Sequence, residues 1–161
     1  MPRYVRQRDH FRCGPIAILN VLKWSGCNVT YDLISELCAE TNCENPGGAL
    51  PSDFGRGLVK RSKGIFTVRK DNHATLKKIE NCLRSGGAVI LNFLYDEHNV
   101  RIGHFALLVG ISQTGKTFYG VNYFSSETFS IIRRHTVRKD CRLRKFDGAT
   151  DYPTVWYLQL K

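Results

Sequence analysis

The sequence lacks several features that would place it in a specialised class of protein. It has no apolar run long enough to cross a membrane as a helix. The N-terminal stretch MPRYVRQRDHFR is charged and contains no apolar core segment, so it does not read as a secretory signal. Without an export signal we expect a cytoplasmic protein whose cysteines stay reduced rather than forming disulfides.

The cysteines also lack the spacing of a metal site. No Cys-x-x-Cys pair is present, and the closest two, Cys38 and Cys43, have no histidine near them. Structural zinc sites need such ligands at short, regular spacing. We therefore expect no metal and no other cofactor. Repeats, low-complexity tracts and linkers are missing as well, which predicts one domain over residues 1–161.

Acidic residues are scarce in this chain. It has 24 Lys and Arg against 14 Asp and Glu, which gives a formal net charge of +10. Part of the excess lies in a basic segment that begins at Arg133 and ends at Lys145. Such a segment favours an acidic partner, and the alternative is an ordinary solvated basic face. No recognised nucleic-acid-binding motif is present, so the charge alone does not select nucleic acid.

The pattern that is present changes from helices to strands along the chain. Apolar spacing predicts helices over residues 14–24, 31–41, 53–62 and 73–85, the last of them capped by Asn72. Strands are predicted at GIFTVR, AVILNFL, HFALLVGI, TFYGVNYF, TFSIIRRHTV and TVWYLQL. We therefore predict an α+β fold in which N-terminal helices pack on a mostly antiparallel C-terminal sheet.

Cys13 lies where a turn-like segment meets the most apolar helix, in QRDHFRCGPIAILNVLKW. Free N–H groups and the positive end of the helix dipole stabilise a thiolate at such a position. We therefore predict a lowered pKa and a nucleophilic role for Cys13, with Gly14 leaving room for a substrate. The alternative is a buried structural cysteine that acts as a small apolar side chain.

Three further residues would complete a site for acyl transfer. His104 opens an apolar strand and is predicted to be the general base, with His10 as its main rival. Asn122 lies across the predicted hairpin, and its side-chain oxygen is expected to orient the His104 ring. Gln7 is expected to supply an oxyanion donor beside the backbone N–H of Cys13. Each could be an ordinary polar residue; their order and placement together favour a site.

With these motifs the sequence resembles the papain-like peptidase domains that process bacteriocin precursors after a double glycine. Gln7 followed by CGPIAILNVL, the strand HFALLVGI and the Asn122 position in GVNYF are each similar to a motif of that family. The resemblance covers residues 6–124. It implies a papain-like fold and a cysteine peptidase (a thiol protease, hence a hydrolase) acting on a peptide or protein, with cleavage after Gly-Gly and no cofactor.

The chain departs from this family beside the site. The family has Asp followed by Pro where Asn122 and Tyr123 stand, and an acidic residue where Arg12 stands; Arg12 therefore indicates a more acidic substrate. Two alternatives stay open. The motifs are also similar to those of phytochelatin synthases, which transfer a peptidyl group to an amine. A non-catalytic domain on the same fold could instead hold an acidic partner on its basic surface.

Overall fold

The computed structural model describes residues 2–45, 47–97, 100–124, 126–141 and 153–161. Within them the helices are α1 (Cys13–Trp24), α2 (Ile34–Glu40), α3 (Pro51–Ser62), α4 (Leu76–Arg84) and α5 (Arg134–Cys141), and a 3-10 turn, Tyr31–Leu33, precedes α2. The strands are β1 (Phe66–Asp71), β2 (Ala88–Glu97), β3 (Val100–Ile111), β4 (Thr117–Val121), β5 (Phe129–Arg133) and β6 (Thr154–Leu160).

The described strands form one sheet in the order β1-β6-β2-β3-β4-β5, and every neighbouring pair is antiparallel. The C-terminal strand β6 is inserted between β1 and β2. The β2–β3 register places Phe93 opposite His104 and Asn92 opposite Phe105. This arrangement confirms the predicted α+β fold of N-terminal helices on an antiparallel sheet.

Helices cover both faces of the sheet. Phe105 and Leu107 belong to one core cluster, with residues of α1, α2 and α3, whereas Ala106 and Leu108 belong to a second, with residues of α4 and α5. Successive residues of a strand point to opposite faces, so β3 contributes alternately to both clusters. Double coverage explains why AVILNFL is apolar except for Asn92, since neither face of β2 meets water there.

The stretch TFSIIRRHTV was predicted as one strand, and this prediction was wrong in its second half. β5 ends at Arg133 and α5 begins at Arg134. The N–H of Arg134 donates to the main-chain oxygen of Lys116, and its guanidinium pairs with Glu80 on α4 at 3.0 Å. These contacts turn the chain, and Val137 is then fully buried in the second core cluster. Such a helix depends on tertiary packing that periodicity does not reveal.

The fourth helix begins later than the sequence predicts. Its N-cap is Thr75, whose hydroxyl accepts the N–H of Lys78 at 3.2 Å. Asn72 instead accepts a hydrogen bond from the hydroxyl of Thr154 at 3.2 Å, which ties the loop before α4 to β6. All six cysteines are free thiols. Across the described ranges, no helix has both the length and the apolar character that a membrane span requires.

Candidate active site

The approach to Cys13 is shaped by Asp9. Its Oδ1 accepts the N–H groups of Phe11 at 3.2 Å and Arg12 at 2.9 Å, while Oδ2 pairs with the Arg12 guanidinium at 3.2 Å. A side-chain carboxylate that binds N–H groups two and three residues ahead stabilises a turn at a helix start. Because Asp9 neutralises Arg12 within the chain, Arg12 is a poor reason to expect an acidic substrate.

The Cys13 thiol is buried, with 5% of the residue exposed. Burial raises its pKa to about 11, although N–H groups of Phe105, Gly14 and Cys13 itself favour the thiolate. The nearby Asp9 carboxylate adds to the rise. The predicted lowering of the pKa was therefore wrong, because desolvation outweighs the helix N-terminus at this position.

Gly14 has a packing role that differs from the one predicted. A Cβ at this position would lie 3.2 Å from the Phe54 ring, 3.4 Å from Ala49 and 3.5 Å from Phe105. The Phe54 and Phe105 rings stack with centroids 4.1 Å apart directly against this part of α1. Glycine therefore lets α1 approach the aromatic core, and this close approach fixes where Cys13 lies relative to β3.

His104 is buried on β3, and its Nε2 donates to the main-chain oxygen of Asn122 at 2.7 Å. The ring also packs edge-on against Phe93, its cross-strand partner, with centroids 5.7 Å apart. Burial lowers the pKa of His104, while the bond to Asn122 opposes that change. A neutral ring whose proton is held on Nε2 keeps its lone pair on Nδ1, as a general base requires.

Asn122 joins the two parts of the site. It has a positive φ of 52°, a conformation that asparagine tolerates better than most residues. Its main-chain oxygen binds His104, whereas its side-chain oxygen accepts the N–H of Gln7 at 3.1 Å. Its side-chain amide donates to Val5 at 2.8 Å. The expectation that the side-chain oxygen orients His104 is thus corrected, since the observed acceptor is the main chain.

Gln7 lies next to Asn122, to which its backbone N–H donates, a contact that the sequence does not predict. Its side-chain amide donates to the main-chain oxygen of Asp9 at 2.6 Å. The side-chain amide of Gln7, which is expected to bind the oxyanion, is therefore already hydrogen-bonded within the turn that precedes Cys13. Hydrogen bonds thus join three of the four predicted residues, Gln7, Asn122 and His104, and the contact described for the Cys13 thiol on β3 is the N–H of Phe105, the neighbour of His104.

Asn20 is a site residue that the sequence analysis missed. It is fully buried on α1, accepts the N–H of Val5 at 2.7 Å and donates to the Val5 oxygen at 3.0 Å. Together with Asn122 it holds the segment that carries Gln7. An asparagine in the middle of a helix that is apolar nearly all round is the signal that could have found it.

A cleft of about 950 Å³ opens beside His104 and Asn122. Two of the segments that line it are called the N-terminal wall (residues 6–10) and the α5 wall (α5 residues that include His135 and Lys139). Tyr123, also in the lining, donates its hydroxyl to Asp140 of α5. Sequence analysis missed this wall because it did not predict α5.

The rival histidines have separate positions. His10 and His135 line the cleft on different walls, and His73 lies in the exposed turn before α4. His98 lies outside the described residues, as does the end of the basic segment, residues 142–145. In the described part of the chain, no group of three or more His, Cys, Asp or Glu side chains could hold a metal ion.

Comparisons with known proteins address the fold. No protein-family model matches the sequence, and no curated protein matches it either. A C39-like peptidase from Bacillus anthracis superposes with a TM-score of 0.65 at 10% identity, covering 98% of this chain and 94% of that one. The peptidase domain of Streptococcus mutans ComA gives 0.54 at 10% identity, covering 97% and 98%. The chain therefore has the papain-like fold of C39 peptidase domains, as the sequence predicts.

Proposed function

We propose that this protein is a cysteine peptidase in which Cys13 forms a covalent acyl-enzyme. One observation carries the proposal: a single network joins the start of α1, the start of the apolar part of β3 and the end of β4. In it, Gln7 binds Asn122, Asn122 binds His104, and the N–H of Phe105 reaches the Cys13 sulfur. A nucleophile, a base and a residue that orients the base are the elements that acyl transfer needs.

The resting site holds a thiol and a neutral imidazole, because burial raises the pKa of Cys13 and lowers that of His104. Attack therefore starts with proton transfer from the Cys13 sulfur to Nδ1 of His104 as the substrate carbonyl arrives. Nδ1 must then come within hydrogen-bonding distance of the sulfur in the substrate complex. The main-chain oxygen of Asn122 keeps the other ring proton on Nε2 and stabilises the imidazolium that forms.

The tetrahedral intermediate would be stabilised at the helix start. The backbone N–H of Cys13 is one donor, and the side-chain amide of Gln7 is the second once it leaves the Asp9 oxygen. His104 then protonates the departing amine, and water releases the acyl group from Cys13. In this second step His104 takes a proton from the attacking water and returns it to the Cys13 sulfur as the C–S bond breaks. The acyl group leaves as a carboxylic acid, which ionises in water.

A peptide-library digest tests the proposal. Wild type is expected to cleave a subset of peptides, whereas Cys13→Ala cleaves none. The panel includes peptides with Gly-Gly before the scissile bond, since the resemblance implies that specificity, and an added amine tests for transfer in place of hydrolysis. Cys27→Ala is the matched control, because Cys27 is a half-buried free thiol at the opposite end of α1. Cleavage that persists in Cys13→Ala would disprove the mechanism.

A further inference from the structure

The cleft carries cations on both walls. Arg6 and Arg8 are exposed on the N-terminal wall, and Lys139 is exposed on the α5 wall. The Arg8 guanidinium lies 5.7 Å from the centre of the Tyr31 ring, a contact that leaves its positive charge in place. A cleft lined by positive charge concentrates anionic groups inside it.

The two carboxylates of the lining are already bound within the protein. Asp9 binds the Arg12 guanidinium and two main-chain N–H groups. Asp140 accepts the hydroxyl of Tyr123, and burial raises the pKa of Asp140. Neither carboxylate is therefore well placed to neutralise the cations of the two walls. The bond between Tyr123 and Asp140 also fixes α5, and with it Lys139, against the end of β4.

Aromatic side chains supply the apolar part of the cleft. Phe93, Tyr123 and Phe124 line it, and 42% of Phe124 is exposed. Phe124 packs edge-on against Tyr123 with ring centroids 5.2 Å apart. Its exposed ring offers a surface for one apolar side chain beside the basic walls.

From this arrangement we infer that the cleft binds acidic peptides, with Asp or Glu side chains between the basic walls and an apolar side chain on Phe124. The inference rests on the proposed function, and it names the substrate class of the same site. A peptide is favoured over a nucleic acid because the cleft is lined by His104 and Asn122, two of the residues that the proposed function assigns to peptide cleavage. The cations responsible are those of the walls and not Arg12, which Asp9 neutralises.

Binding to the full-length Cys13→Ala variant tests the charge preference without turnover. One fluorescent peptide carries two Glu residues beside a Leu, and its partners carry Gln or Lys in their place. The Glu peptide is expected to bind about tenfold more tightly than the Lys peptide at low salt, with a smaller difference at high salt. Equal affinities would overturn the inference, as would tighter binding of a single-stranded oligonucleotide that displaces the Glu peptide.

Charge reversal identifies the wall residues. Lys139→Glu and Arg6→Glu change one residue on each wall. Each is expected to weaken binding of the Glu peptide about fivefold and to strengthen binding of the Lys peptide. Lys63→Glu makes the same charge change at the exposed end of α3 and is expected to alter neither affinity by more than about twofold. An equal loss of affinity for the Glu peptide in Lys63→Glu would show that the net charge of the protein, and not the cleft, causes the effect, and would overturn the inference.

Turnover by the wild type separates the two proposals. Cleavage that requires Cys13 but is equally fast for Glu and Lys peptides would overturn the acidic preference and leave the peptidase proposal standing. A tenfold Glu preference in binding, with no cleavage of any peptide in the panel, would overturn the peptidase proposal and support an acidic-peptide site. Faster cleavage of the Glu peptide by wild type is the result expected from both.

Discussion

Two regions hold the residues of the site in different ways. The site strands (β2, β3 and β4) hold His104 by main-chain pairing, which is unbroken between β2 and β3 and shifts register once between β3 and β4. The N-terminal segment (residues 2–12) has no assigned helix or strand in the part of the chain that the structure describes. It is held by side chains, since Asn20 binds both polar main-chain groups of Val5, and Asn122 binds Val5 and Gln7.

The comparison shows how an irregular segment can be positioned precisely enough for chemistry. A side-chain amide has both a donor and an acceptor, so it can bind a peptide group as a neighbouring strand does. In the site strands, loss of one side chain leaves the main-chain pairing intact. In the N-terminal segment, loss of one asparagine removes two hydrogen bonds. Substitutions in the two regions should therefore have different effects.

The largest effect is expected at the base that the sheet holds. His104→Ala should lower kcat/KM by about 10²- to 10⁴-fold, because proton transfer from Cys13 loses its acceptor. His73→Ala is the control, since that histidine is exposed and only its backbone N–H binds Asp71. Peptide cleavage measures both. Activity retained in His104→Ala would show that His104 is not the general base.

The pH profile sharpens this prediction. Protonation removes the lone pair that His104 uses as a base, and burial lowers its pKa from 6.5. The acid limb of kcat/KM is therefore expected below pH 6.5, with full base function above it. A limb at or above that value would mean that the base is not the buried His104 ring.

The next effect is expected in the N-terminal segment. Gln7→Ala should lower kcat by about 10²- to 10³-fold, because the intermediate loses one oxyanion donor. Stability should change little, since the backbone N–H of residue 7 still binds Asn122. Gln113→Ala, in the exposed turn between β3 and β4, is the control. A normal kcat in Gln7→Ala would leave the segment with a binding role only.

Cys13 lies between the two regions, and its reactivity reports on its burial. With a pKa of about 11, its reaction with iodoacetamide at pH 7 should be about 100-fold slower than that of an ordinary thiol. The rate should rise with pH and should recover at neutral pH when the protein is unfolded in urea. Mass spectrometry of the labelled peptide measures both. Preferential labelling of native Cys13 at pH 7 would instead support the lowered pKa that the sequence predicts for this thiol.

Asn122 belongs to both regions, so two substitutions can separate its roles. Asn122→Gly keeps the positive φ and the main-chain oxygen that binds His104, but it releases Val5 and Gln7. Its kcat/KM should fall only about 10- to 100-fold, with the acid limb unchanged. Asn122→Ala should add a stability loss of about 1 kcal/mol, because alanine is strained at this φ. A loss of about 10⁴-fold in Asn122→Gly would instead show that the side chain orients His104.

The smallest effect on turnover is expected at Asn20, which is far from the chemistry. Asn20→Ala leaves the Val5 N–H without its partner and should lower the free energy of unfolding by about 1–3 kcal/mol. Asn81→Ala, at an exposed position of α4, should change it by less than about 0.5 kcal/mol. Urea unfolding measures both. Equal values would mean that the N-terminal segment is not held through Asn20.

Some parts of the site were predictable because their signals are local. A cysteine that opens an apolar helix and a histidine at the start of an apolar run can be found from neighbouring residues. The helix formed with nearly the predicted bounds, whereas β3 begins at Val100, four residues before His104. The pKa of Cys13 was not predictable, because its burial depends on Phe54 and Phe105, which come from other elements. The α5 wall was missed for a related reason, since that helix forms through contacts with α4 and the second core cluster.

The sequence by itself determined the order of helices and strands apart from α5, the α+β class and the choice of the four candidate residues. Periodicity and capping act over a few residues, so they can be read without the fold. Only the tertiary structure decided that the main chain of Asn122, and not its side chain, orients His104, and that Asn20 and Asn122 hold the segment carrying Gln7. These contacts join residues up to 117 positions apart, and burial sets their strength.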